Sequence, residues 1–315
     1  MKGGEERGRK SERKMANEQQ QETVGESLGS KKIGIIGVGN MGSAILRGLL
    51  KAKKAGKIFI SDAREERLRE FQGNENVVAC KSNAEVVRNA DVIILAVKPS
   101  DVKAVASEVK NDFDESKILI SVAAGISTKT LETYFGSDAP SQQTTARAEA
   151  ERAERRVRVV RVMPNIAALV GSAFSAVCKG RFASQEDEEI AKEIMSAVGE
   201  AFSVKESDMD AITGLSGSGV AFAALVIDAL AEGGVHEGLP RELALRIAAR
   251  TVEGAARMIS AGFSPENVRD MTASPGGTTI RGILTLEKYA IRAALMSAVI
   301  DATRRAKEIS KNEQN

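Results

Sequence analysis

From Lys31 onward the chain alternates between short, wholly apolar runs and longer stretches whose apolar residues fall three and four positions apart. The runs Ile33–Gly37, Ile58–Ser61, Val77–Cys80, Val92–Val97 and Ile118–Val122 each have the length of one buried strand. Between the first two, Met41, Ala44, Ile45, Gly48 and Leu49 recur at helical spacing, and Arg64–Phe71 reads as a further helix. Strands that are apolar throughout, separated by helices, predict a parallel sheet covered on both faces. Val157–Met163 and Phe174–Cys178 are predicted to extend it. After about Lys205 the strand signals stop. Val220–Ala231 is apolar on nearly every side, with Asp228 its one polar residue, so it predicts a helix buried all round. A helical region this small offers a subunit interface as the place to bury it. Pro240 suits the first turn of the next helix, and Gly262 suits its C-terminal stop.

Two segments break the pattern. Residues 1–30 are polar and without periodic apolar positions, which predicts a disordered arm. They lack the apolar stretch of a secretory signal, and their glutamates are foreign to an organellar transit peptide. Residues 137–156 form a low-complexity Ala/Arg/Glu tract without an apolar face, a solvated insertion on this reading. The organisation expected is therefore an arm over 1–30, a sheet domain over 31–205 carrying the insertion 137–156, and a helical domain over 206–315.

Composition narrows the chemistry. Acidic and basic residues are interspersed and the formal net charge is +2, so no nucleic-acid surface is expected. No apolar run free of charges reaches the length needed to span a membrane, so no membrane partner is expected either. Cys80 and Cys178 stand apart, each in a strand-like run, and read as buried free thiols of a reducing, cytoplasmic setting. His236 is the only histidine and falls in a turn between helices, where a surface position is expected. One histidine and two distant cysteines supply neither a Ser/His/Asp triad nor a histidine-based metal site, and no metal is expected.

The positive signals are loops. Gly37-Val38-Gly39-Asn40-Met41-Gly42 is a GxGxxG between the first strand and the first helix, with the acidic Asp62 ending the second strand. That combination predicts a Rossmann-type domain that holds a dinucleotide pyrophosphate on the helix start. Asp62 favours NADH if its carboxylate accepts from the ribose hydroxyls, while Arg64 is close enough to take the extra phosphate of NADPH; both remain open. Ala96-Val97-Lys98-Pro99, Ala123-Ala124-Gly125 and Asn165 end later strands, where such sheets present their ligand crevice. Asn83 is read as the cap of the helix Ala84–Arg88, with cofactor contact as the alternative. Near the C-terminus, Ser274-Pro275-Gly276-Gly277-Thr278-Thr279 places glycines and hydroxyls at a helix start, where a carboxylate or phosphate fits.

In order along the chain, Gly37–Gly42, Ala96–Pro99, Ser121–Gly125, Arg161–Asn165, Thr213–Gly219, Gly238–Arg241 and Asp270–Thr279 resemble the pyrroline-5-carboxylate reductases, from Lys32 to about Arg305. The resemblance implies NAD(P)H-dependent reduction of 1-pyrroline-5-carboxylate to L-proline by a homo-oligomer joined through its C-terminal helices. It implies cofactor contacts from Gly37–Met41, Asn83 and Ala96–Pro99. It further implies that Ser274 and Gly276–Thr278 hold the substrate carboxylate, that Thr279 bonds the imine nitrogen, and that Glu206 lies near the substrate. The chain departs from the family at Ile166-Ala167, where Thr-Pro is usual, at Val220-Ala221-Phe222, where Pro-Ala-Tyr is usual, and at Thr272 and Asp62. Reduction of another cyclic imine, or cofactor binding without catalysis, are the alternatives these departures leave.

Overall fold

The computed structural model describes Leu28, residues 31–136 and residues 156–312. The proposed arm, apart from Leu28, and the proposed insertion, apart from Arg156, lie outside the described residues. Leu28 itself is buried in the core of the sheet domain. The chain divides into two compact units, one of residues up to Thr213 together with those from Arg305 on, the other Gly214–Arg304.

The first unit is built on one eight-stranded sheet in the order β3-β2-β1-β4-β5-β6-β7-β8. Its strands are β1 Ile33–Ile36, β2 Ile58–Ser61, β3 Val77–Ala79, β4 Val92–Leu95, β5 Ile118–Ser121, β6 Arg158–Pro164, β7 Ala173–Lys179 and β8 Gly199–Ser203. Alternate residues feed two cores. Ile33, Ile35, Ile58, Ile60, Ile94 and Ile120 face one layer. Ile36, Ile93, Leu95 and Leu119 face the other, with Val86, Val102, Leu131 and Phe135 from the helices. Burial on both faces is why these runs carry no polar alternation.

Two features correct the sequence reading. The extension is not parallel throughout, because β6 and β7 pair antiparallel. Only the 3-10 turn Ile166–Val170 joins them, and a parallel crossover needs a dozen residues or more. The edge strand β8, paired with β7, was not expected at all.

In the second unit the helices Gly219–His236, Arg241–Ser260, Pro265–Thr272 and Thr278–Lys288 follow one another, and Ile291–Asn312 begins there. A π-helical turn, Thr213–Gly217, leads into the first of them. The expectation that Val220–Ala231 is buried all round is not met within one chain. Ala231 is the helix's one buried residue, and Leu225 is 70% exposed. Among the described residues, the buried cluster on this helix is Ala231 with Ala244 and Ala248 of the next helix and Ile227 packed against them. The helical run Glu206–His236 is long and apolar enough to cross a membrane by length and composition alone, though Asp210 and Asp228 interrupt it, so the sequence reading that no charge-free run reaches that length stands.

Candidate active site

Every residue predicted to touch the cofactor lies where a parallel strand of the first unit ends. Gly37–Met41 follow β1, Asp62 follows β2, Asn83 opens the helix after β3, Ala96–Pro99 follow β4, Ala123–Gly125 follow β5, and Asn165 follows β6. The strand order reverses between β1 and β4, so the glycine turn and the Ala96–Pro99 loop flank the crevice such a reversal creates. The two loops touch. Gly37 has φ +93°, and a Cβ there would stand 2.8 Å from the Ala96 carbonyl oxygen. A Cβ on Gly42 would collide with the Gly37 carbonyl, so the helix can approach the strand this closely only without one.

The helix Asn40–Ala52 begins at Gly39 with no side-chain cap, leaving its first N–H groups to a ligand. A Cβ on Gly39 would meet only Arg67 Nη1, at 3.5 Å, so the protein leaves space beside the middle glycine. Open main-chain donors, the positive end of a 13-residue helix and that space fit a dinucleotide pyrophosphate.

The acidic partner of this turn is tightly engaged. Asp62 Oδ2 accepts the Val38 N–H at 2.7 Å and Arg67 Nη1 at 3.2 Å, while Oδ1 accepts the Arg64 N–H at 2.9 Å. Asn83 is not the helix cap, which corrects the sequence reading. Ser82 accepts the Glu85 N–H, and Glu85 accepts the Lys81 N–H in return. Asn83 stands at the first helical position, accepting from Ser61 Oγ at 2.8 Å and donating to Glu108 at 2.7 Å. Lys98 is exposed ahead of the helix Pro99–Val109, and the buried Asn165 caps the 3-10 turn by accepting from the Ala167 N–H. At the β5 end, a Cβ on Gly125 would stand 2.7 Å from Ile309 Cγ2, so the glycine also makes room for the last helix.

Glu206, also in the first unit, is held on three sides. It accepts the Thr128 N–H at 2.8 Å and the Thr128 hydroxyl at 2.5 Å, and it pairs with Arg161 Nη1 at 3.3 Å. Arg161 is buried, and its Nη2 has no hydrogen-bond partner among the described residues. Across the strand pair, burial pushes the Cys178 thiol up to about 12, with the Glu206 charge adding to the rise, which makes it an inert core residue. Thr128, Arg161 and Arg67 were not singled out from the sequence. Their partners lie 78, 45 and five positions away, and although Arg161 opens the Arg161–Asn165 motif, nothing in the sequence ties it to Glu206.

In the second unit, Ser274–Gly277 closes a turn through a 3.0 Å bond from the Gly277 N–H to the Ser274 carbonyl. Pro275 followed by Gly276 at φ +70° gives it the form of a type II turn. The helix Thr278–Lys288 then starts at Gly277 with no side-chain cap. Ser274, Gly276 and Thr278 are exposed, Gly277 and Thr279 half-buried, and no hydrogen bond of either threonine hydroxyl is seen among the described residues. The turn thus presents main-chain N–H groups and two hydroxyls together, the donor set a carboxylate needs. His236 is exposed beside Glu237, as expected.

Comparison with known proteins finds matches for both parts of the chain. Residues 206–309 match the family model for pyrroline-5-carboxylate reductase dimerisation, and residues 32–125 match one for NADP oxidoreductases, coenzyme F420-dependent. A pyrroline-5-carboxylate reductase of Methanosarcina acetivorans is 46% identical over 285 residues, covering 90% of this chain and 99% of that protein. One of Arabidopsis thaliana is 41% identical over 286 residues, covering 90% and 97%. Among solved structures, the Plasmodium falciparum pyrroline carboxylate reductase with NADP bound has a TM-score of 0.75 at 30% identity, covering 90% of this chain and 99% of its own.

Proposed function

The chain belongs to the pyrroline-5-carboxylate reductase family, and from that premise we infer that it reduces 1-pyrroline-5-carboxylate to L-proline with NAD(P)H. The observation that carries the reading is the 46% identity to the Methanosarcina acetivorans reductase across nine-tenths of the chain, with the glycine turn and the Ser274–Thr279 turn both intact. When bound, the reduced nicotinamide supplies the hydride that, with a proton from solvent, turns the ring C=N bond into CH–NH.

The protein's own part is binding and orientation. In this reading the main chain of Gly37–Met41 holds the pyrophosphate, and Asp62, Asn83, Ala96–Pro99, Ala123–Gly125 and Asn165 line the rest of the cofactor. Ser274, Gly276, Gly277 and Thr278 hold the substrate carboxylate through the Ser274 hydroxyl and the N–H groups of Gly276 and Thr278, with Gly277 keeping the turn closed and the helix start offsetting the charge. Thr279 keeps a hydroxyl on the ring nitrogen. Electron density grows on that nitrogen as the C=N bond is reduced, so a hydrogen bond donated there strengthens towards the transition state. Glu206, already committed to Thr128 and Arg161, is a positioning group in this account.

The homo-oligomer is part of the same proposal. The helical region matches a dimerisation model and exposes Leu225, Leu284, Met296 and Ile300 in the single chain, a surface that suits a second copy better than water. A cytoplasmic setting is supported by two cysteines that are both buried free thiols.

The test is loss of reduced-nicotinamide absorbance when the protein is given pyrroline-5-carboxylate or its six-membered homologue, with NADPH and with NADH. Faster turnover of the five-membered ring is expected. Preference for the six-membered ring would move the enzyme to another imine, and cofactor binding without turnover would leave a catalytically silent homologue.

A further inference from the structure

Selection of an unphosphorylated ribose by a carboxylate asks two things of it. It must offer free oxygen lone pairs to the vicinal hydroxyls, and it must present uncompensated negative charge to a 2′-phosphate. Asp62 is poorly placed for both. Its side chain is only 5% exposed, two main-chain N–H groups occupy its oxygens, and the Arg67 guanidinium pairs with it at 3.2 Å. Its charge is therefore spent within the fold, holding the glycine turn to the segment that follows β2.

What remains open at this corner is cationic. Arg67 is 36% exposed and commits Nη1 to Asp62, while Nε and Nη2 bond no other group among the described residues. The same Nη1 lies 3.5 Å from the place a Cβ on Gly39 would take, beside the phosphate-binding turn. Arg64, exposed, stands three positions earlier with its main chain fixed by Asp62. A guanidinium whose outer edge is free presents paired N–H groups of the spacing that phosphate oxygens accept.

We propose that Arg67, oriented by Asp62, reads the 2′-phosphate of the cofactor, so that this chain prefers NADPH and Asp62 serves that preference as a positioning residue. The proposal rests on the reductase reading and names the cofactor within it. Of the two cofactors left open by the sequence, it selects NADPH, because here the carboxylate aligns the cation that attracts the phosphate.

Binding, not turnover, provides the test. The whole protein is titrated with NADPH, NADH, adenosine 2′,5′-bisphosphate and AMP by calorimetry. NADPH and the bisphosphate should bind at least about tenfold tighter than their unphosphorylated counterparts, as one or two charge-assisted hydrogen bonds imply. Arg67→Gln should abolish most of that ratio while changing NADH and AMP affinity less than about threefold. Asp62→Asn, which keeps the shape and removes the charge, should lower the ratio in the same direction. A ratio that rises in Asp62→Asn would mean the carboxylate repels the phosphate after all, and the proposal fails. So does an equal loss of both cofactors in Arg67→Gln, which would make the arginine a brace for the loop. Wild-type preference for NADH overturns the proposal and leaves the reductase reading standing. Failure to bind either dinucleotide overturns both.

Discussion

The two glycine-rich turns answer the same chemical need in opposite surroundings. The Gly37–Gly42 turn is backed by its own unit: Val38 is buried, Asp62 pins its N–H, and the Ala96 carbonyl packs on Gly37. The Ser274–Gly277 turn is closed by a single main-chain bond, and the helix it opens has no buried residue. The same contrast runs through the cores. The sheet buries Ile33, Ile35, Ile58, Ile94 and Ile120 to 0–1% exposure, whereas the cluster within the helical unit is three alanines with Ile227 against them. One unit is finished by its own chain. The other presents Leu225 at 70% and Met296 at 65% exposure, which is the surface of a half-built core.

Substitutions can break that contrast. The largest effect is expected from Leu225→Glu. A carboxylate forced into an interface without a partner costs several kcal/mol, so the variant should dissociate or aggregate while the sheet unit keeps its circular dichroism. Ile94→Ala, by comparison, leaves a cavity within one chain and should cost about 2–5 kcal/mol. Ile94→Ala should lower the melting temperature of a still-assembled protein, whose melting shifts with protein concentration, whereas the Leu225 variant, once dissociated, should melt independently of dilution. If both variants respond to dilution alike, the two units do not differ in the way described.

Thr279→Ala should lower kcat/KM about ten- to a hundred-fold, equivalent to about 1.4–2.7 kcal/mol, with cofactor affinity unchanged. Thr279→Ser should keep much of the activity. Wild-type turnover in the alanine variant would reduce the hydroxyl to a helix-terminal ornament. The smallest change is expected from Gly39→Ala. Among the described residues its methyl group meets only Arg67, so folding should be untouched and dinucleotide affinity should fall about tenfold, as a displaced phosphate contact implies. Unchanged affinity in a folded variant would remove the turn from the cofactor site.

Much of this was legible in the residues. The strands β1, β2, β4 and β5 announce themselves because burial on both sheet faces leaves them almost wholly apolar, and the site loops follow because they sit at strand ends. The edge strand Gly199–Ser203 did not, since Glu200, Phe202 and Ser203 are exposed and give no strand signature. The true cap at Ser82 carries the Ser-x-x-Glu signature with Glu85, and Asn83 beside it has the same capping chemistry, which is why the sequence points to either. The reach of Asp62 to Val38, 24 positions back, and of Glu206 to Thr128, 78 positions back, belongs to the fold and leaves no periodic trace. Least legible was what covers the helix Gly219–His236. An all-apolar helix states that burial is required and is silent about which chain supplies it.

That last point is where the account is most exposed, and the mass of the intact protein in solution tests it directly. Light scattering at micromolar concentration should give at least twice the 33.5 kDa of one chain, stable on dilution. A mass of 33.5 kDa would show that the helical unit is complete alone and would contradict the comparison on which the account rests.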